Sequence, residues 1–282
     1  MHRVVVIIPS RYNATRFPGK PLALLKGKPL IQHVYDQASS AGLIETVLVA
    51  TDDQRIYDTV LKFGGKAVMT SCSHESGTDR IAEAVAGIEC DYVINVQGDE
   101  PFIKPEMIDD VVNLLYNDDQ VSISTLAKKV TDMQEILSPH VVKVVTDHDG
   151  FALYFSRAPI PYYRDEWKFR GMEEGTRPEQ TFAETPLANT DRITAGELQT
   201  SNDNEQEYYC LKHIGIYGYR KDALMNFSSL KQCRLEKIEK LEQLRALNAG
   251  MKIKVKETSF DTFGIDTKED LRKAEEWQNI SL

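Results

Sequence analysis

The stretch VVVIIPSRYNATRFPGKPL, residues 4–22, decides the fold class of this chain. Residues 4–9 are apolar and mostly β-branched, which predicts a strand covered on both faces. The loop that follows carries three cations, Arg11, Arg16 and Lys20. Residues 30–38 then have the apolar spacing of a helix. A buried strand that leads through a loop into a helix is typical of an α/β protein.

The alternation of strand and helix continues over about the first 125 residues. The other strands predicted in this part are residues 46–50, 66–69 and 92–96. The other predicted helices are residues 53–63, 78–86 and 105–116. This order predicts a doubly wound, mostly parallel sheet, in which ligands bind beyond the carboxyl ends of the strands.

The elements predicted after about residue 125 no longer alternate regularly between strand and helix. Residues 141–146, 151–155 and 213–220 resemble closely spaced strands, which predicts a smaller antiparallel extension. Residues 236–247 are predicted to form one helix, with a leucine-rich face made of Leu235, Ile238, Leu241, Leu244 and Leu247. A strand at residues 252–256 and a helix at residues 268–277 close the chain. We expect a single domain over residues 1–282.

An acidic segment at about residues 171–207 is the exception, because it has few aliphatic residues. Nine acidic residues and two arginines fall within it, so it carries most of the net charge of -9 of the 282-residue chain. Segments of this composition bury too little apolar surface to offset the entropy of ordering. We therefore expect a surface insertion.

Composition also excludes several classes of protein. An acidic chain without a basic run is a poor candidate for binding nucleic acid. No stretch approaches the ~18 uninterrupted apolar residues of a membrane span. Residues 1–9 indicate a first strand rather than a signal peptide. The four cysteines are scattered without a CxxC pair, which indicates neither a zinc site nor a disulfide framework, and we expect a cytoplasmic protein.

The loop after the first strand is the first candidate site. Its backbone N–H groups, Gly19 and its cations suit a phosphate chain. It is not a Walker loop, because GxxxxGK[ST] is absent. The alternative is a solvated basic loop.

Two carboxylates are candidate ligands for Mg²⁺, which prefers hard oxygen donors. Asp99 lies in NVQGDEP, residues 95–101, at the end of a predicted strand. Asp266 contributes only if the fold brings it to Asp99. The alternatives are that Asp99 caps the helix starting near Pro105 and that Asp266 caps the last helix.

Eight motifs, taken together, are shared with one known family. They are IPSRYNATRFPGKPL (8–22), SGTDR (76–80), NVQGDEP (95–101), VKVV (142–145), ALYFSR (152–157), HIGIYGY (213–219), LEKIEKLEQLR (235–245) and GIDTKEDL (264–271). Considered alone, SGTDR indicates a turn with a helix cap, and a lone histidine such as His213 is more often a core residue. In this combination and order, the chain resembles the CMP-KDO synthetases, which are 3-deoxy-manno-octulosonate (KDO) cytidylyltransferases.

The resemblance implies a nucleotidyltransferase that activates KDO with CTP for lipopolysaccharide biosynthesis. The anomeric hydroxyl of the sugar acid would attack the α-phosphorus of CTP, and pyrophosphate would leave. Positioning and charge stabilisation supply most of the catalysis in such transfers. The resemblance also implies Mg²⁺ as the cofactor and a homodimer, formed through the antiparallel extension.

Site residues are carried over from the same resemblance. The implied catalytic residues are Arg11, Lys20 and Asp99, and the implied metal ligands are Asp99 and Asp266. The implied nucleotide-binding residues are Ser10, Arg11, Thr15, Arg16, Lys20, Ser73, Ser76 and Gly77. The implied sugar-binding residues are Arg80, Gln97, Arg157, His213, Tyr217, Glu242 and Gln243.

Departures from the family pattern leave alternatives open. Ala14 stands where the family usually has serine, and the acidic segment separates Arg157 from His213, two expected sugar contacts. A related substrate, such as the 8-amino analogue of KDO or a sialic acid, is one alternative. A non-catalytic nucleotide-sugar binding protein is another, although all four expected metal and triphosphate residues are present. The segment could also dock a partner, which is compatible with catalysis.

Overall fold

A computed structural model describes residues 2–13, 16–74, 76–164 and 209–277. The chain divides into two compact units: residues 1–160 together with 210–282, and residues 161–209. The predicted acidic insertion at residues 171–207 lies outside the described residues, and so does Thr15. All elements below belong to the first unit.

The strands are β1 (Val4–Ser10), β2 (Leu24–Leu25), β3 (Lys28–Pro29), β4 (Thr46–Thr51), β5 (Ala67–Met69), β6 (Tyr92–Asn95), β7 (Ile123–Val130), β8 (Lys143–Thr146), β9 (Ala152–Ser156), β10 (Cys210–Arg220) and β11 (Ile253–Glu257). The helices are α1 (Leu30–Ser39), α2 (Gln54–Lys62), α3 (Gly77–Val85), α4 (Pro105–Tyr116), α5 (Met133–Leu137), α6 (Lys221–Ser229), α7 (Arg234–Glu239), α8 (Gln243–Asn248) and α9 (Lys268–Trp277). A short 3-10 helix spans Lys20–Leu22. Most of the predicted elements therefore form, with ends shifted by up to three residues, while β2, β3, β7, α5, α6 and the short 3-10 helix were not predicted.

One sheet carries the fold. In the described part of the chain it has nine strands, seven of them in the order β11-β7-β10-β6-β1-β4-β5. β1 lies near its centre, parallel to β4 on one side and to β6 on the other. Val4, Val6 and Ile8 pack into the core on one face, and Val5 and Ile7 pack on the opposite face. The apolar run at residues 4–9 therefore reflects burial on both faces, and the predicted fold class is confirmed.

The antiparallel part is continuous with this sheet. β10 lies between β6 and β7 and is antiparallel to both, while β11 is parallel to β7. β8 pairs with β10 and with β9, so β8 and β9 extend the sheet beyond its main path. Because β10 joins both parts, its side chains stand next to the carboxyl end of β6.

The prediction of one helix over residues 236–247 is wrong. α7 ends at Glu239; the next residue, Lys240, has a left-handed backbone with φ 54°, and α8 begins at Gln243. Leu241 and Leu244 are buried, whereas Leu235 and Ile238 are exposed. A strict three-residue spacing rotates by about 60° per step around a helix, so five such residues cannot share one face.

The helices also bear on membrane insertion. In the described ranges, none is both long and apolar enough to cross a bilayer.

Candidate active site

The loop after β1 closes on itself around Tyr12. Gly19 donates its N–H to the Tyr12 carbonyl at 2.7 Å. A Cβ at Gly19 would lie 3.1 Å from the Tyr12 ring, and Gly19 has φ +76°. Glycine is therefore required both because a side chain would crowd the ring and because the backbone is left-handed. The Arg55 guanidinium stacks 3.3 Å from the centre of the same ring. This closure directs Lys20, the next residue, toward the end of β6.

Lys20 brings the two candidate metal carboxylates together. Its Nζ lies 2.6 Å from Asp99 Oδ2 and 3.0 Å from Asp266 Oδ1. Arg16 donates to the other oxygen of Asp266 at 2.8 Å. The backbone fixes the approach, since the N–H of Ile265 donates to the Asp99 carbonyl at 2.9 Å. The fold therefore brings Asp266 close to Asp99, which the sequence alone left open.

The electrostatics of this cluster follow from its charges. Burial lowers the pKa of the Lys20 ammonium, but the charges and hydrogen bonds of Asp99 and Asp266 together outweigh burial and raise that pKa above its usual value. Burial, and then the charge of Asp99, raise the pKa of Glu100 to about 8. Glu100 is thus protonated near pH 7, and the negative charge of the cluster resides on Asp99 and Asp266.

The other predicted nucleotide residues lie around the start of α3. Arg11 donates to the Ser76 carbonyl at 2.9 Å, and the Ser76 hydroxyl accepts the Asp79 N–H at 3.1 Å as the cap of the helix. Gly77 faces the β1 end, since a Cβ there would lie 3.8 Å from Pro9 Cγ. The Ser76 hydroxyl therefore caps the helix, as the alternative interpretation of SGTDR has it. The Ser76 carbonyl has a separate role, because it accepts the hydrogen bond from Arg11.

Two serines differ in their surroundings. Ser73 is exposed and shares a hydroxyl contact of 2.7 Å with Ser71. Ser10 is 3% exposed, and its Oγ has no hydrogen-bond partner among the described residues. A Cβ at Gly98 would lie 2.8 Å from that Oγ, so the glycine of NVQGDEP makes room for the end of β1.

A cavity of about 130 Å³ lies beside the cluster. Its described lining residues are Gly77, Thr78, Asn95, Gln97, Ile123, Tyr217, Tyr219, Phe227, Glu242 and Gln243. Four residues predicted to bind the sugar, Gln97, Tyr217, Glu242 and Gln243, are thus brought together. Thr78, Asn95 and Tyr219 were missed although they lie in quoted motifs. Ile123 and Phe227 had no motif signal and reach the wall through β7 and α6.

The cavity wall carries stacked aromatic rings and is uncharged except for one group. The rings of Tyr217 and Tyr219 stack at 6.0 Å, and Tyr219 stacks on Phe227 at 6.4 Å. Burial raises the pKa of both tyrosines, so both phenols are neutral. Glu242 is the one carboxylate among the described lining residues.

Arg80 is not placed to line this cavity. It is completely buried, and its guanidinium donates to Thr70 Oγ1 at 2.5 Å and to Asp52 Oδ2 at 2.9 Å. Its expected role as a contact for the sugar carboxylate does not agree with this placement. The physical reason is that Arg80 faces the core side of α3, where its charge is balanced by Asp52.

Arg157 and His213 are also held by protein groups. Arg157 donates to the carbonyls of Glu239 at 2.7 Å and Pro139 at 2.8 Å. His213 Nε2 lies 3.0 Å from Thr125 Oγ1, and burial lowers the pKa of the imidazole to about 3. A neutral imidazole supplies no charge to balance a sugar carboxylate. Neither residue is among the described residues that line the cavity.

The site therefore has two chemically distinct parts. The loop presents the cations Arg11, Arg16 and Lys20 next to a pair of carboxylates, which suits a polyanion with a bound cation. The cavity presents neutral amides, hydroxyls and one carboxylate, which suit a ligand rich in hydroxyl groups. Gly77 lines the cavity, and the carbonyl of the preceding residue, Ser76, holds Arg11 of the loop, so the two parts are adjacent and a pair of bound substrates can meet between them.

Comparison with known proteins gives the same picture over the whole chain. The sequence profile of the cytidylyltransferases matches residues 5–253. The 3-deoxy-manno-octulosonate cytidylyltransferase of Thermodesulfovibrio yellowstonii is 48% identical over 283 residues, covering 98% of this chain and 98% of that protein. The protein of the same name from Trichlorobacter lovleyi is 45% identical over 274 residues, covering 97% of this chain and 98% of its own.

Solved structures agree. A CMP:2-keto-3-deoxy-manno-octonic acid synthetase complexed with CTP has a TM-score of 0.82 and 38% identity, covering 99% of this chain and 100% of that chain. A cytidylyltransferase from Leptospira borgpetersenii has a TM-score of 0.59 at 15% identity, which shows the fold alone.

Proposed function

The chain belongs to the 3-deoxy-manno-octulosonate cytidylyltransferases, and we propose that the loop after β1 binds the CTP triphosphate while the adjoining cavity binds the sugar acid. The enzyme makes CMP-KDO from KDO and CTP, the chemistry that its relatives' names describe. The observation that carries the assignment of the site is the convergence of Asp99 and Asp266 on Lys20, next to the loop and the cavity.

Arg11, Arg16 and Lys20 hold the phosphates. Pyrophosphate carries more negative charge as the bond between the α-phosphorus and its bridging oxygen breaks. Cations that are already in place stabilise this charge without reorganisation. Lys20 is suited to this task because Asp99 and Asp266 keep its ammonium charged despite burial.

The donor set of the cluster fits Mg²⁺. Asp99 and Asp266 provide hard oxygens that already share one cation, Lys20 Nζ. Mg²⁺ in nucleotide sites is typically held by one or two carboxylates together with the substrate phosphates. When bound, Mg²⁺ would lower the barrier by neutralising phosphate charge and favouring the ionised sugar hydroxyl. Glu100, protonated near pH 7, adds no third charge to this pair.

The sugar acid is oriented by the cavity. Gln97, Gln243 and Glu242 present amide and carboxylate groups that can pair with hydroxyls in fixed directions. Orientation matters because the anomeric oxygen must meet the α-phosphorus in line with the departing bridging oxygen.

The test is a pyrophosphate-release assay with CTP, Mg²⁺ and KDO. Turnover is expected with KDO, and an enzyme active with a sialic acid or the 8-amino analogue but inactive with KDO would contradict the assignment. Asp99→Asn is expected to abolish turnover with an unchanged circular dichroism spectrum. Asp119→Asn is the matched control, because the Asp119 side chain is fully exposed. Near wild-type rates for Asp99→Asn would show that the metal assignment is wrong.

Assembly and location belong to the same proposal. Leu153 of β9 is 62% exposed, and β9 lies beyond the main path of the sheet, which supports a homodimer formed through this part. Light scattering after gel filtration measures the mass, and a monomer at assay concentration would refute the dimer. The four cysteines, all within the described ranges, are free, as in proteins of the reducing cytoplasm.

A further inference from the structure

Arg245 lies behind the cavity wall and is not one of the described residues that line it. It is 7% exposed, and its guanidinium packs 4.8 Å from the centre of the Phe227 ring. Its NH1 donates to the Leu230 carbonyl at 3.0 Å. These contacts tie α8 to α6 and fix the plane of the guanidinium.

The same guanidinium holds Glu242. Arg245 NH2 donates to Glu242 Oε1 at 2.7 Å, and Thr78 Oγ1 donates to Glu242 Oε2 at 2.7 Å. Each carboxylate oxygen therefore has one donor, from different helices. Hydrogen bonds to a charged partner are stronger than neutral ones. The two donors therefore fix the orientation of the Glu242 carboxylate.

Glu236 supports Arg245 from the other side. Glu236 Oε2 lies 3.3 Å from Arg245 Nε, and Glu236 is 6% exposed. The Arg245 Nε makes no hydrogen bond to the described residues, so this pairing is ionic. One guanidinium thus donates to the Glu242 carboxylate and the Leu230 carbonyl while a second carboxylate lies beside it. The planar fork of arginine suits these fixed directions, whereas the ammonium of lysine is a compact point charge.

We propose that Arg245 is a positioning residue for the sugar acid, because it holds the Glu242 carboxylate in the orientation that pairs with the sugar hydroxyls. This inference rests on the proposed function, in which the cavity receives the sugar acid. Arg245 makes no contact with the nucleotide loop among the described residues, so its effect is confined to the sugar.

A pair of substitutions separates positioning from stability. Arg245→Met alone would leave Glu236 buried without its counter-charge, which is strongly destabilising. Combining it with Glu236→Gln removes that charge, so the double variant is expected to fold while Glu242 lacks its arginine partner. Glu236→Gln alone is the matched control, since Glu242 keeps both of its donors. Urea unfolding verifies the fold, and steady-state kinetics give the KM for each substrate.

We expect the double variant to raise the KM for KDO by about 10- to 100-fold, the effect of one hydrogen bond to a charged group. The KM for CTP should stay within about twofold of wild type, as should both KM values of Glu236→Gln. Wild-type KM for KDO in the folded double variant, or an equal rise for both substrates, would overturn the proposal.

Arg245→Lys provides a second test, because it keeps a positive charge between the carboxylates. A selective rise in the KM for KDO is again expected, and a wild-type value would contradict the proposal even if the double variant were unfolded. Failure of the wild-type enzyme to use KDO would instead refute the proposed function itself.

Discussion

The contact between Gly98 and Ser10 leads to a prediction with a worked magnitude. A Cβ at Gly98 would lie 2.8 Å from Ser10 Oγ, 3.1 Å from the Pro9 carbonyl oxygen and 3.6 Å from Ile8 Cγ2. Gly98 is not among the glycines with a positive φ, so the cost of alanine at this position comes from steric clashes and not from backbone strain. Overpacking of this kind costs about 1–3 kcal/mol. The reduced entropy of the unfolded chain returns about 0.4–1 kcal/mol. Gly98→Ala should therefore lower the free energy of unfolding by about 1–2 kcal/mol.

Ser10→Ala should relieve this cost. The Ser10 hydroxyl is buried without a described partner, so its loss should leave stability unchanged or raise it by up to about 1 kcal/mol. In the double variant, the closest clash is gone and only the contact with the Pro9 carbonyl remains. We expect the double variant to recover about 1 kcal/mol relative to the sum of the single effects, as for residues in direct contact.

Urea unfolding of the wild type, the two single variants and the double variant forms the cycle. Equal slopes against urea would show that stability rather than compactness has changed. Additivity within about 0.5 kcal/mol would refute the steric argument, as would an unchanged stability of Gly98→Ala.

Two further perturbations concern His213 and Lys240. Burial lowers the pKa of His213 in the folded chain to about 3, whereas its ordinary value is about 6.5. Between pH 3 and pH 6.5, the unfolded chain therefore binds a proton at this residue that the folded chain does not. This residue should therefore make stability fall by about 1.4 kcal/mol per pH unit as pH drops below 6.5, and His213→Gln should show a shallower acid dependence of its urea midpoint. An unchanged dependence would contradict this. Lys240→Gly should raise stability by about 1 kcal/mol, since the exposed Lys240 has φ 54°. Lys237→Gly, within α7, should instead lower it by about the same amount, and a loss in both would refute the backbone argument.

Local periodicity was enough to predict the first half of the fold. β1, β4 and β6 are continuous apolar runs because parallel central strands are buried on both faces, and α4 begins and ends where its proline and apolar stripe indicate. The chemistry of the loop was also visible, because its cations lie within ten residues of one another. In the second half, β7 and α6 were missed. Residues 236–247 were assigned to one helix because leucines at three-residue spacing resemble a helical face, whereas the left-handed backbone of Lys240 separates α7 from α8.

The sequence by itself determined the family, the reaction type and the candidate residues, because motifs preserve residue identity and order. Only the tertiary structure decided which candidates meet. It joined Asp99 to Asp266 through Lys20, placed Arg80 in the core beside Asp52, and put Arg245 behind Glu242. Arg245 and Glu242 are only three residues apart, whereas the other partners are far apart in the chain. Their pairing depends on strand order and packing, which local sequence patterns do not encode.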